Sequence, residues 1–563
     1  MESMIFLSVA LQALVFLVVV AAVLSFLGRR SSWDTGRALR SLFRYGMLLV
    51  LLLLVGTGVT GLLALADPDV VGGAGYTAFM LACVIIAGPG LVLVARWVMK
   101  ALGRSEEGDT GWEIYLVVAE LLSLGAAAVG AYIWAEGLIE GSFRITPAAV
   151  MVVWAVVWFA HHSLAGRRGR RGRLGYGVLL GCAAGLVTGS VFGIQFLEEA
   201  LGRLYELAFG TTVIVRNAES VLNALIGLVI WGMVWLRYWW FLGMRQERSP
   251  LWRAYVLLLG VVGGLITGLV GVWLLAYRIL DWLVGGFSEP AGRHFTEVPL
   301  AVGLMAVGGL VWRYHRTVLQ ARGPARRSEV DRIHEYTVAG VGLAATVGGL
   351  AAVIAVSVGL LVPGDVLHTP GRSDLVAAVT VLLVGAPLWW RFWTATQRWR
   401  RSDPESELRS PTRRVFLICV FGAGGVLALV SLFVLAYRIL ESILEGDLGP
   451  GTVFAIRWPL ALAVTVGVAA AYHRIIRRDD LADLPQESPG RTVRSVVLVG
   501  SGGHEVASAV EERTGVKPQV WERSDREVAL STEAVVEAIE SAEHQHLLIV
   551  ARPDGQQVIP YTQ

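Results

Sequence analysis

Cysteine and charge are both scarce in this chain. Its 563 residues include three cysteines, Cys83, Cys182 and Cys419. Each lies inside an apolar run with no partner at metal-ligand spacing, which excludes a disulfide framework and a zinc site. Charged residues make up 17% of the chain, too few for a soluble protein that is 55% hydrophobic. No spacing of Ser, His and acid makes a hydrolase, and the glycine turn near the carboxyl end lacks a Walker lysine. No basic residue precedes the first apolar run, Met4 to Leu27, whereas Arg29 and Arg30 follow it directly. That is the reverse of a cleavable secretion signal, so the run is expected to be a first spanning helix.

What is present is a series of apolar runs long enough to cross a hydrocarbon core. Thirteen spans are expected, at residues 4–27, 39–66, 75–99, 111–135, 147–163, 174–197, 217–241, 252–276, 297–315, 334–361, 374–396, 413–436 and 455–474. The segments joining them alternate in charge. After odd-numbered spans come "HHSLAGRRGRRGR", "RYHRTVLQARGPARRSEVDR" and their companions, rich in arginine; the intervening set, from "ADPDVVGG" to "YRILESILEGDLGPG", is acidic. Arginine-rich loops stay on the cytoplasmic side, so the amino terminus is expected outside and the carboxyl terminus inside. The fold class expected is an all-α polytopic membrane bundle with a small cytoplasmic α/β domain.

The spans repeat. "AYIWAEGLIEG" at Ala131, "AYRILDWLVGG" at Ala276 and "AYRILESILEG" at Ala436 each close a span on the acidic side. The span after each begins near a proline and ends in histidine: Pro147 to His162, Pro299 to His315, Pro459 to His473. Tryptophan-ended spans alternate with these, finishing in "WLRYWW" at Trp235 and "WWRFW" at Trp389, with "ARW" at Ala95 as a weaker first copy. An even number of spans per block makes the repeats parallel rather than inverted. The divisions expected are a two-helix segment 1–70, blocks 75–200, 217–361 and 374–476, a linker 477–492 and a soluble domain 493–563.

The stretch "GAPLWWRFWTATQRWRRSDPESELRSPTRRVF", the long span after it and "LAYRILESIL" resemble the repeated bacterial membrane domain catalogued as DUF5671, a domain of unknown function. The resemblance runs from about residue 75 to 476 and is clearest from residue 217. It implies a multi-pass module without an assigned activity. The first block departs from the pattern, with Trp134 and Ala135 where later blocks have Ile-Leu, and no arginine after Tyr132.

His162, His315 and His473 stand at helix ends beside aromatic or basic residues, as do Trp239, Trp393, Tyr277, Arg278, Tyr437 and Arg438. That position suits anchoring at the headgroup level or hydrogen bonding between helices. The competing reading for the histidines, haem ligation, needs two imidazoles facing each other across the bundle; no cofactor is expected. Glu120, inside "YLVVAELLSLGAAAVG", is the deepest ionisable residue. It is either a proton or cation site or a carboxyl that pairs with an arginine such as Arg96. The glycines of "GVVGGLITGLVG" permit close helix contact. The segments "FLEEALGRLYELAFG", "YRILDWLVGG" and "YRILESILEG" are either short helices in the outer interface or the last turns of their spans.

After the linker the pattern reads βαβαβ with a terminal strand pair turning at Asp554-Gly555. Gly500, Gly502 and Gly503 could present N–H groups to a phosphate at a helix start, against the carboxylate of Glu505. Three functions follow from these observations. The favoured one is a noncatalytic membrane scaffold or accessory subunit in a bacterial cell membrane, in contact with anionic phospholipid on the cytoplasmic face and with a protein partner, but not with nucleic acid. The second is a transporter or channel of parallel repeats, with a wet cavity lined by Glu120, Gln195 or Asn223. The third is a sensor whose soluble domain binds a nucleotide or phosphate.

Overall fold

Long helices dominate because the apolar runs satisfy their own backbone hydrogen bonds, which the hydrocarbon of a membrane requires. The computed structural model describes residues 35–561 except 69, 71, 103–109, 168–172, 211–217, 247, 286–288, 321–328, 363–370, 484–492, 494, 517, 522–527, 543 and 553–554. The first expected span, 4–27, most of the linker and Asp554 lie outside the described residues.

In chain order the helices are α1 (Thr35–Ala64), α2 (Ala74–Leu102), α3 (Thr110–Ile139), α4 (Ile145–Arg167) and α5 (Arg173–Phe209). Then come α6 (Ala218–Trp235), which runs on into a π-helical turn Leu236–Trp240, α7 (Pro250–Ala254), a π-helical stretch Tyr255–Gly263, and α8 (Gly264–Val284). The series ends with α9 (Ala291–His294), α10 (Val298–Gln320), α11 (Glu329–Leu361), α12 (Arg372–Ser402), α13 (Pro404–Arg409), α14 (Pro411–Glu445) and α15 (Pro450–Ala482). Every expected span from the second to the thirteenth has its helix. Eleven described helices are long and apolar enough to cross a membrane, with α7, the π stretch and α8 counted as one. The ninth expected span, α10, is not among them, because Arg313, Tyr314, His315 and Arg316 crowd its last turns.

The acidic segments at Phe196, Ala276 and Ala436 continue α5, α8 and α14 without a break. Of the two readings of those segments, the last turns of long helices hold.

Helix pairs close tightly over glycine. On α8 and α10, Gly264, Gly268 and Gly308 bring the two backbones together, and a Cβ added to Gly308 would overlap the backbone of Gly268. On α11 and α12, Gly342 faces the backbone of Trp389, and Gly385 faces that of Thr346. Such close approach multiplies dispersion contacts where hydrophobic burial gives no drive between helices. In the first half, α1 packs on α2, α3 on α4 and α1 on α4; further along, α5 packs on α6, α8 on α10 and α5 on α10.

The chain divides into two compact units, residues 1–398 with 415–473, and residues 399–414 with 474–563. The second unit contains the strands β1 (Ser495–Val499), β2 (Gln519–Trp521), β3 (His546–Arg552) and β4 (Gly555–Pro560), with α16 (Gly503–Thr514) and α17 (Thr532–Glu540) between them. The sheet order is β2-β1-β3-β4, the first three strands parallel and β4 antiparallel to β3. Alternating Val496 and Leu498 on β1 and Leu547, Ile549 and Ala551 on β3 form one core with Val506 and Val510 of α16 and Val535, Val536 and Ile539 of α17. Ser531 caps α17 through the amide of Ala534.

Candidate functional site

Three helices of the first unit bring their few polar side chains together around Glu120. Glu120 projects from α3 and is 4% exposed. His162 on α4 places Nδ1 2.7 Å from Glu120 Oε1, and the Tyr238 hydroxyl, from the π turn after α6, donates to the same oxygen at 2.6 Å. Arg237, next to Tyr238, puts a guanidinium nitrogen 2.6 Å from His162 Nε2. Trp158 Nε1 donates to the Tyr238 oxygen at 2.9 Å. The π turn has a geometric consequence here, since it lets two consecutive residues, Arg237 and Tyr238, both serve the cluster.

The proton positions follow from chemistry. A guanidinium has only donors, so His162 Nε2 must accept; the imidazole proton then sits on Nδ1 and is donated to Glu120. The chain of bonds runs Arg237 to His162 to Glu120, with Tyr238 as a second donor to the carboxylate. Carboxylate and guanidinium balance each other through the ring. Both ring nitrogens of His162 are engaged, so this imidazole ties its neighbours together. The Glu120 carboxyl thus meets a histidine, a tyrosine and, through the histidine, Arg237.

His161, one residue away, is the one that matches His315 and His473 in register: "VWFAHH", "VWRYHR" and "AAAYHR" align with the fifth residue of each. In all three the ring bonds its own helix, Nδ1 lying 2.8 Å from the Val157 carbonyl in His161, 2.9 Å from Val311 in His315 and 2.8 Å from Ala469 in His473. Each carbonyl accepts, so Nδ1 carries the proton and Nε2 is left as the lone pair. Tyr115 meets His161 Nε2 at 3.0 Å, while Nε2 of His315 and of His473 is buried without a hydrogen-bond partner.

Both of those histidines are enclosed by aromatic rings. Trp235, Trp239, Tyr255 and Tyr314 surround His315; Trp393, Phe416 and Tyr472 surround His473. The tryptophan indole donates to the tyrosine preceding the histidine in each copy, Trp239 to Tyr314 and Trp393 to Tyr472, both at 2.8 Å. A bare Nε2 with Nδ1–H fixed to a carbonyl is the arrangement a metal-ligating imidazole adopts. Among the described residues, however, no three His, Cys, Asp or Glu side chains are grouped to hold a metal ion.

These placements correct the anchoring reading. Trp239, His315 and His473 are fully buried, and Trp393 and His162 nearly so. Trp239, Trp393 and His162 bond side chains of other helices, whereas His315 and His473 bond their own helices; buried as they are, these rings do not present an edge to a headgroup layer. Trp240, next to Trp239, and Trp390, three residues before Trp393, are exposed. Arg278 is paired with Glu297, and Arg438 with Glu441, whose carboxylate also accepts from the exposed Tyr437. Tyr277 stacks on Trp273. Arg237, Tyr238, Tyr115 and Trp158 were not singled out from sequence, although "WLRYWW" contains two of them; aligning the three histidine ends residue by residue brings His161 and Trp158 into view.

The glycine turn has packing reasons for its composition. Gly502 has φ 72°, a left-handed conformation that favours glycine. A Cβ on Gly500 would press against Ala551 and Leu530, and one on Gly503 against Val520. In the same unit Arg413, fully buried, grips Asp480 through Nε at 2.6 Å and a terminal nitrogen at 3.0 Å; Arg400 joins them at 2.7 Å to Asp480 and 2.7 Å to Asp483.

A DUF5671 domain, a domain of unknown function, is found at residues 332–472, a stretch that runs from α11 into α15. No curated protein and no solved structure matches the chain.

Proposed function

We propose that this chain is a noncatalytic integral-membrane scaffold or accessory subunit of a bacterial inner-membrane complex, with residues 493–563 docking a protein partner in the cytoplasm. The observation that carries the reading is that two sets of buried charged groups are spent on each other. Glu120, His162, Arg237 and Tyr238 fasten α3, α4 and α6, and Arg413, Arg400 and Asp480 fasten α12, α14 and α15. Polar groups used this way define which helices meet and in what register, which is what a scaffold requires.

The membrane part is three successive four-helix modules, 35–167, 173–320 and 329–482, the third being the one in which the DUF5671 domain is found. Each module runs in the order plain helix, tryptophan-ended helix, Ala-Tyr helix and histidine-ended helix, one helix earlier than the blocks 75–200, 217–361 and 374–476. The matching helix pairings within α1–α4 and α5–α10 support this frame. With α10 and the first apolar run also spanning, the amino terminus is outside, and the arginine-rich loops face the cytoplasm against anionic phospholipid. The chain acts on no nucleic acid.

The test is affinity purification from native membranes, comparing the full chain with one lacking residues 493–563. A partner recovered reproducibly with the full chain and lost with the truncation supports docking. A chain that purifies alone and conducts solute when reconstituted in vesicles overturns it in favour of the transporter.

A further inference from the structure

His294 differs from every histidine described above in what its nitrogens face. It is buried in the short helix α9, with Nδ1 2.7 Å from the Glu289 carboxylate and Nε2 2.9 Å from the backbone carbonyl of Arg278 on α8. Both partners are acceptors. A neutral imidazole has one N–H, so it satisfies one contact and turns a lone pair on the other oxygen. The observed geometry therefore needs one more proton, held on the imidazole or on the Glu289 carboxyl.

Among the described residues, no competing donor faces His294. The Arg278 guanidinium is turned to Glu297, and Asp281, one turn further along α8, lies 4.0 Å from Arg372. Arg293 is exposed. On the remaining sides stand the ring of Phe295, with Trp282 beyond it, and Tyr205 of α5, whose hydroxyl donates to the Gly292 carbonyl at 3.2 Å. The contacts tie α9 to α8 and bring in the base of α10 at Glu297.

We propose that Glu289 and His294 form a proton-binding site that clasps the α8–α10 connection, closed when one proton is bound and loosened when it leaves. The balance is simple: closing takes one proton from solvent onto the imidazole, both ring N–H groups then donate, and opening returns it. The site lies at the opposite end of α10 from His315. It does not depend on which compartment that end faces.

Hydrogen exchange of the full chain in lipid nanodiscs, corrected for intrinsic rates, tests this in the α9 turn, where Arg293 and His294 amides bond Pro290 and the Phe295 amide bonds Ala291. Between about pH 5 and about pH 8, the interval in which imidazoles titrate, protection there is expected to fall several-fold. Glu289→Gln distinguishes the chemistry: its amide can donate to Nδ1 while Nε2–H keeps the Arg278 carbonyl, so the clasp stays closed at both pH values without the extra proton. His294→Ala is expected to exchange at the open rate throughout. Protection in the unmodified chain that does not change with pH, or a pH dependence that survives unchanged in Glu289→Gln, overturns the proposal.

Discussion

Substituting Asp480 by asparagine removes the carboxylate on which two arginines converge. Arg413 has a side chain only 1% exposed, and both of its bonds to Asp480 disappear as charge-assisted contacts; Arg400 keeps Asp483. Losing a hydrogen bond made to a charged group costs about 1.5–3 kcal/mol. Asp480 accepts two such bonds from Arg413 and one from Arg400, and it is 12% exposed, so asparagine, which keeps one acceptor oxygen, should cost about 3 kcal/mol in all. Arg413→Met is milder. It puts an apolar chain where the guanidinium lay and leaves Asp480 neutralised by Arg400 at 2.7 Å, for a loss of about 1–2 kcal/mol in hydrogen bonding. The double variant should cost less than the sum, with a coupling of about 0.5–3 kcal/mol, since once either partner has gone the other has less to lose. Native-state hydrogen exchange of residues 407–414 reads this directly. About 1.4 kcal/mol is a factor of ten, so Asp480→Asn should weaken protection by roughly a hundredfold and Arg413→Met by roughly tenfold. Equal effects that simply add would refute the assignment of these residues to one network.

Glu120→Gln keeps an acceptor for His162 and Tyr238 but not the charge opposite Arg237, and is expected to cost about 1–2 kcal/mol in thermal unfolding in detergent. Glu120→Leu removes the carboxylate to which both His162 and Tyr238 donate, so its loss should be larger than that of Glu120→Gln, and equal losses would show that the network does not form. Gly260→Ala places a methyl against the buried ring of His315 and should destabilise by about 1–3 kcal/mol, whereas Gly232→Ala, with open space around it, should be neutral or stabilising by the helix preference for alanine. The comparison is a pair of melting curves.

The helix boundaries were readable because arginine cannot sit in hydrocarbon, so each apolar run ends where the arginines or acids begin; α3, α11 and α12 start within a few residues of the expected positions. The strand and helix order of residues 495–560 was equally readable, since period-two apolar runs alternate there with helical ones and glycine marks the stops. Rotation about each helix axis was not. In a soluble helix the polar face announces the exposed side, but here lipid and protein interior are alike apolar, and nothing in "WLRYWW" says that Trp239 turns inward and Trp240 outward. The π turns at 236–240 and 255–263 add a residue per turn without any sequence mark, and so shift every later side chain around the axis.

A polar side chain in an apolar bundle has very few oxygens or nitrogens to meet, so each meeting selects one rotation of its helix out of many that pack about equally well. His161, His315 and His473 spend Nδ1 on their own backbone, a bond compatible with any rotation, and it is the tryptophan-to-tyrosine bonds beside the last two that choose. His162 spends both nitrogens on other helices. One residue of register in "HH" therefore separates a ring that bonds its own backbone and Tyr115 of α3 from a ring that ties three helices together, and composition cannot distinguish them because both are histidine.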